Sequence, residues 1–160
     1  MDDSLLGRLG EVVKVQQPRA ARARVAAELI RSATRARWVG IYTVADGTVS
    51  NEAWSGPGAP AHPTFPAGQG LTSHAIRTRT VAVSNDVARD PRYLANQDDS
   101  GSELIVPVLD EDRVVGTLDV ESRDIGAFSG AEIKRYEVLA RALCPLWVVP
   151  STQEPPISAS

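Results

Sequence analysis

The sequence predicts an α+β domain: an antiparallel central sheet with the N- and C-terminal helices packed on one face and ligand-covering loops on the other. Three observations carry this reading. Two pairs of strand-like runs, 38–55 and 103–122, each fold back at a tight turn, helical stripes of apolar residues frame them, and two long polar connections interrupt them. A chain of 160 residues with 42% hydrophobic and 23% charged content is enough for one cored domain. A net charge of −3 favours solubility over any particular partner. No apolar run reaches the ~20 residues of a membrane span, and MDDSLLGRLGEV has no basic leader, so no membrane association is expected. The single cysteine, Cys144, excludes an internal disulfide or a multi-thiolate zinc site. A cytoplasmic protein is expected.

In chain order, residues 4–15 read as a helix with Leu5, Leu6, Leu9, Val12 and Val13 on one side and Ser4 as cap. Gln16 and Gln17 form a joint before Pro18, which sets residues 1–18 apart from a domain over 19–149. A second helix, 19–36, carries the stripe Val25, Ala26, Leu29, Ile30, Ala33. Its other side holds Arg19, Arg22, Arg24, Arg31 and Arg35 against Glu28. No aromatic residues interleave with these charges, so a solvated face or a dimer contact is favoured over nucleic acid.

Runs 38–44 and 48–55 form a hairpin around Asp46-Gly47. Trp38, Gly40 and Tyr42 share one face, and Trp54 is expected near Val39 on the other. Segment 56–70, with four prolines, reads as irregular, and a loop this long is functional or mobile. A short helix over 71–79, a strand at 81–83 and a polar connection over 85–101, with a turn of helix near 89–94, follow. Ser129-Gly-Ala-Glu132 has the spacing of a capping box and starts a helix bearing Ile133, Tyr136, Leu139, Ala140, Leu143 and Trp147. Pro145 should end or kink it. Residues 150–160, rich in Pro and Ser, read as a flexible tail.

The sharpest chemical signal lies in 103–122. Leu104–Leu109 is almost wholly apolar, as a strand covered on both faces is. The second arm alternates, with Val115, Thr117, Asp119 and Glu121 on one side. A three-residue turn at Asp110-Glu111-Asp112 would set Leu109 opposite Arg113 and Glu103 opposite Asp119, with Glu121 one diagonal step away. Three carboxylates on one face are either a solvated surface or a site for something cationic. The remaining polar candidates are isolated. His62 and His74 are twelve residues apart with no third metal ligand in register, and Gly68-Gln-Gly70 precedes a helix whose N-terminus could meet an anion. No metal or cofactor is expected.

The motifs Trp38-Val-Gly-Ile-Tyr42, Gly68-Gln-Gly70, Ser102-Glu-Leu-Ile-Val-Pro107 and Gly116-Thr-Leu-Asp-Val-Glu-Ser122, in this order over residues 20–147, resemble a GAF domain. They look most like the branch of small free-standing GAF proteins that includes free methionine-R-sulfoxide reductase. The resemblance implies that Glu103, Asp119 and Glu121 cradle an ammonium group and that Trp38 and Tyr42 line its pocket. It also puts His62, Thr72 and Asn96 where that reductase carries cysteines, and neither Thr nor Asn can supply a thiolate. The expectation is therefore a sensing or binding domain for an amine or amino-acid-like ligand, with no catalytic residues and with Thr72, His62 and His74 as further pocket candidates. An ammonium offers three donors and no acceptor, and aromatic faces add attraction. A divergent reductase-like enzyme, or a dimeric interaction module with a vestigial pocket, is the alternative. The resemblance also implies a homodimer, and the absence of an output domain implies a signalling partner protein.

Overall fold

The computed structural model describes residues 3–96 and 99–149; the expected tail at 150–160 lies outside them. The elements are α1 (Asp3–Val12), α2 (Arg19–Thr34), β1 (Trp38–Ala45), β2 (Thr48–Ser55), β3 (Thr64–Pro66), α3 (Gly70–Thr78), β4 (Ala82–Ser84), β5 (Ser102–Asp110), β6 (Arg113–Ser122) and α4 (Gly130–Ala142). The strands form one six-stranded sheet in the order β3-β2-β1-β6-β5-β4, antiparallel at every pairing. Leu9 of α1, Ile30 of α2 and Leu139 of α4 close over Val39, Ile41, Leu104, Val106, Leu118 and Val120 to make the main core on one face. On the other face Leu71 and Ala75 of α3 pack on Ala82 and Ile105. β5 is thus covered on both sides, which is why its sequence is apolar without alternation. No helix among the described residues is long and apolar enough to cross a membrane.

The local differences from expectation have physical causes. Ser4 lies inside the first turn of α1 instead of ahead of it. Helix α1 ends at Val12 because its last turn tightens, with Lys14 and Val15 N–H donating to the carbonyls three residues back. Arg35 closes α2 in the left-handed conformation at φ 60°. Within the proline-rich segment Thr64–Pro66 forms β3, pairing with Thr48–Ser50 of β2. A proline at the end of an edge strand removes no ladder bond, so the prolines hid the strand without preventing it.

The central hairpin turns at two residues, not three: Asp110 pairs with Arg113, and Glu111 sits at φ 56°. A bulge then shifts the register between Val108 and Leu109, so Glu103 faces Glu121 and Ile105 faces Asp119. The shorter turn and the bulge each move the pairing by one residue. Their sum is two, which changes every partner yet leaves each side chain on its predicted face. A second bulge, between Ile41 and Tyr42, places Trp54 opposite Gly40. Trp54 therefore packs with the Trp38–Tyr42 cluster and not on Val39's side.

Part of the arginine face of α2 turns inward. Arg19 Nε donates to the Leu146 carbonyl, and Arg22 donates to the carbonyls of Val13 and Gln17. These arginines satisfy chain ends that would otherwise lack donors. Arg19 also meets Glu52 at 3.3 Å, and the Thr43 hydroxyl donates to Glu52 and accepts from Trp147 Nε1 at 2.8 Å. This network fastens α2 and the turn after α4 to the bulged strand.

Helix α4 starts as its capping spacing predicts, with Ser129 Oγ accepting the Glu132 N–H at 3.3 Å. Ser129→Ala is expected to cost about 1 kcal/mol, seen as a lower urea midpoint with an unchanged slope. Past Ala142 the chain tightens into a 3-10 turn, Cys144–Leu146, around Pro145.

Candidate functional site

The face of the sheet opposite the main core carries the acidic side chains. Trp38 pairs with Glu121, Gly40 with Asp119 and Tyr42 with Thr117, so β1 lays its aromatic face beside the carboxylates of β6. The missing side chain of Gly40 makes this possible: a Cβ there would lie 2.3 Å from the Trp38 ring and 2.9 Å from that of Tyr42. Tyr42 stands 6.4 Å from Trp38 and 6.0 Å, edge-on, from Phe65 of β3.

A cavity opens above this floor. Tyr42, Phe65, Glu103 and Asp119 line it from the sheet, Gly70, Leu71 and Thr72 from the start of α3, and His62, Leu94 and Asn96 from the two long connections. The free interior measures about 20 Å³, room for about one water molecule. Among the described residues no Lys or Arg lines it. Of the residues singled out in the sequence, Tyr42, His62, Thr72, Glu103 and Asp119 converge here, and so does Asn96. Trp38 does not line the cavity; it is buried behind Tyr42, its Nε1 donating to the Gly58 carbonyl at 3.0 Å. His74 does not line it either. Phe65 and Leu94 were not singled out by sequence. The pairing of Phe65 with Val49 puts it on the floor, and the only hint was an aromatic between prolines.

The three carboxylates differ in what they meet. Glu121, 1% exposed, accepts from Tyr93 Oη at 3.0 Å, Ser100 Oγ at 2.8 Å and Asn96 Nδ2 at 2.5 Å. It lies outside the cavity lining. Asp119, 5% exposed, accepts one bond, from Thr117 Oγ1 at 2.7 Å. Glu103 is 8% exposed, and no donor among the described residues bonds its carboxylate.

These surroundings set the acidities. Burial, reinforced by the charges of Glu121, Asp119 and Asp90, pushes Glu103 well above the usual carboxylate range. Burial pushes Asp119 up to about 8; Thr117's bond works against the rise and Glu121's charge with it. Burial also raises Glu121, while the bonds from Asn96, Ser100 and Tyr93 pull it back. Tyr42 is raised by burial and then by all three carboxylates, and Tyr93 reaches about 12 by burial and the charge of Glu121. The three carboxylates and the two tyrosines are thus all raised, with burial the largest cause in each. Among the described residues no group of three His, Cys, Asp or Glu is set to hold a metal ion.

Cys144 sits on the other side of the sheet, packed against the main core with its Sγ donating to the Leu109 carbonyl at 3.5 Å. Burial and Asp110 raise its thiol pKa, which disfavours the thiolate.

Comparison with known proteins places these features in context. The chain is 27% identical over 109 residues to the free methionine-R-sulfoxide reductase of Saccharomyces cerevisiae, covering 66% of this chain and 60% of that protein. It is 27% identical over 107 residues to the enzyme of the same name from Escherichia coli, covering 67% and 64%. The matched region thus spans less than two thirds of either relative. In structure it resembles the free methionine-R-sulfoxide reductase of Neisseria meningitidis in complex with its substrate, with a TM-score of 0.78 and 25% identity, covering 91% of both chains. It also resembles the type II enzyme of Thermoplasma acidophilum, with a TM-score of 0.75 and 27% identity over 86% of this chain and 94% of that one. The family model described as GAF domain matches residues 18–144, which takes in α2, the whole sheet, the cavity and α4, and the chain belongs to the GAF domain family.

Proposed function

We propose that this GAF domain binds a small molecule carrying a primary ammonium group, with an amino acid as the best-matched form, and performs no thiol redox chemistry. The observation that carries the reading is Glu103: a buried carboxylate with no donor among the described residues, lining a cavity beside Asp119 where none of the described side chains supplies positive charge. A primary ammonium would supply the charge and the donors together, and Tyr42 and Phe65 offer aromatic surface beside it. The start of α3 lines the same cavity, and no side chain caps it. Its first N–H groups would suit a ligand carboxylate, which favours an amino acid over a simple amine. The relatives named for methionine sulfoxide reduction support the same ligand class. The lone thiol, on the far side of the sheet, supports binding without reduction. Homodimer formation and signalling through a partner protein belong to this proposal as the route by which a bound ligand would be reported.

The test is a melting-temperature screen with L-methionine, both epimers of L-methionine sulfoxide and ethylamine. A ligand at a hundred times its Kd adds about 2.7 kcal/mol, and each kcal/mol moves the midpoint of a domain this size by roughly 2–4 °C. The expected result is a shift with an amino acid, a smaller one with ethylamine, and loss of both in Asp119→Asn. No shift with any of the four would overturn the reading. Consumption of either sulfoxide with dithiothreitol as reductant would overturn its non-redox part.

A further inference from the structure

One side chain ties both long connections to the sheet. Asn96 Oδ1 accepts the Ala61 N–H at 3.0 Å, and Asn96 Nδ2 donates to Glu121. Ala61 belongs to the connection between β2 and β3, Asn96 to that between β4 and β5, and Glu121 to β6. The same few residues reinforce the joint: Tyr93 Oη accepts from the Asn96 N–H at 3.4 Å and donates to Glu121. Three residues on, Asp99 is held by Arg37 at 3.0 Å and Arg123 at 2.8 Å, at the two strand ends flanking Glu121. With this joint made, the cavity has space for about one water molecule.

We propose that Asn96 is the positioning residue of the site: it latches the two connections together over the cavity and commits Glu121 to the latch, leaving Glu103 and Asp119 to meet the ligand. This rests on the binding role proposed above and divides the labour within it. An amide suits the task because it accepts and donates at once. Neither a thiol nor a carboxylate at this position could take the Ala61 N–H and also offer Glu121 a comparable bond. The arrangement also requires an order of events. Nothing larger than water enters while the latch is made, so binding follows its opening, and closure then seals the ligand beneath His62 and Leu94.

Amide hydrogen exchange read by NMR on the full chain tests this without a ligand. In Asn96→Ala the Ala61 amide should exchange about tenfold faster or more, the effect of losing a bond within a charge-assisted joint. Glu121→Gln breaks the latch from the opposite side and should speed the same amide. Asp119→Asn, outside the latch, should leave it within about twofold of the parent protein. An unchanged Ala61 amide in Asn96→Ala would overturn the latch, and acceleration in Asp119→Asn equal to that in Glu121→Gln would overturn the division of labour. Stopped-flow mixing with L-methionine supplies the second readout: Asn96→Ala should raise both the association and dissociation rates about tenfold, since an open state becomes more populated. A general loosening would instead speed exchange throughout α3 and β4, which distinguishes structural damage from an opened latch. If L-methionine fails to bind even the parent protein, the ligand reading falls, while the exchange experiment still decides the role of Asn96.

Discussion

Raising the pH from about 5 to about 8 is expected to lower the melting temperature of the unliganded protein by on the order of 10 °C, and Asp119→Asn combined with Glu103→Gln to remove most of that fall. Asp119 is held protonated up to about 8 in the folded chain against an ordinary value of 3.8. Between those values the unfolded chain has released the proton while the folded chain keeps it. The folded state therefore binds more protons, and stability declines as pH rises through the window and levels off above about 8. One retained proton corresponds to about 1.4 kcal/mol per pH unit, or roughly 3–6 °C per unit at 2–4 °C per kcal/mol. Glu103, raised by burial and then by its acidic neighbours, acts with the same sign. Most acid-rich domains lose stability toward low pH, so this profile has the opposite slope. The amides of the double variant cannot ionise, and that protein should outlast the parent near pH 8. A saturating primary ammonium ligand should flatten the parent's profile too, because a bound cation favours the ionised carboxylates. Its affinity should rise with pH until Asp119 has lost its proton. A flat profile in the unliganded parent would show that the acids are already neutralised.

The shared face of Glu103, Asp119 and Glu121 was legible because parity survives an even slip. The alternation of β6 places Thr117, Asp119 and Glu121 together whatever the turn length, and Glu103 joins them because the shorter turn and the bulge near Leu109 move the register by two in total. The partners were not legible, because turn length and bulges are decided by packing at the far end of the hairpin. Two bulges account for both the Glu103–Glu121 pairing and the side taken by Trp54. Which carboxylate remains free was also hidden. It depends on where Tyr93, Asn96 and Ser100 come to rest, and a polar connection carries no periodicity from which to read that. The resemblance to the reductases singled out Asn96 as a vacant cysteine position; its contacts give it a structural occupation that composition could not.

Gly40→Ala and Gly116→Ala should each destabilise the protein by about 1–3 kcal/mol through overpacking, yet differ in what else they disturb. The two glycines sit on neighbouring strands with tryptophans lying across opposite faces of the sheet. A Cβ on Gly116 would come within 2.3 Å of the Trp147 ring and 2.7 Å of the Tyr42 carbonyl oxygen. Trp147 must then move, and the bond from its Nε1 to Thr43, which helps fasten the C-terminal turn to the sheet, is strained or lost. The ring clash lies on the helix-covered face, and only the contact with the Tyr42 carbonyl reaches the strand that carries the cavity floor. A Cβ on Gly40 would instead push Trp38 and Tyr42 on the cavity side, and it stands directly across from Asp119. Both variants should therefore melt several degrees lower, at roughly 2–4 °C per kcal/mol. At a temperature where both remain folded, Gly116→Ala should keep the parent's affinity for L-methionine within about threefold, and Gly40→Ala should lose about tenfold or more. Equal losses of affinity would mean that the two faces of the sheet are mechanically coupled. Unchanged affinity in Gly40→Ala would mean that the new methyl is taken up by Trp38, outside the cavity lining, and that Tyr42 keeps its place.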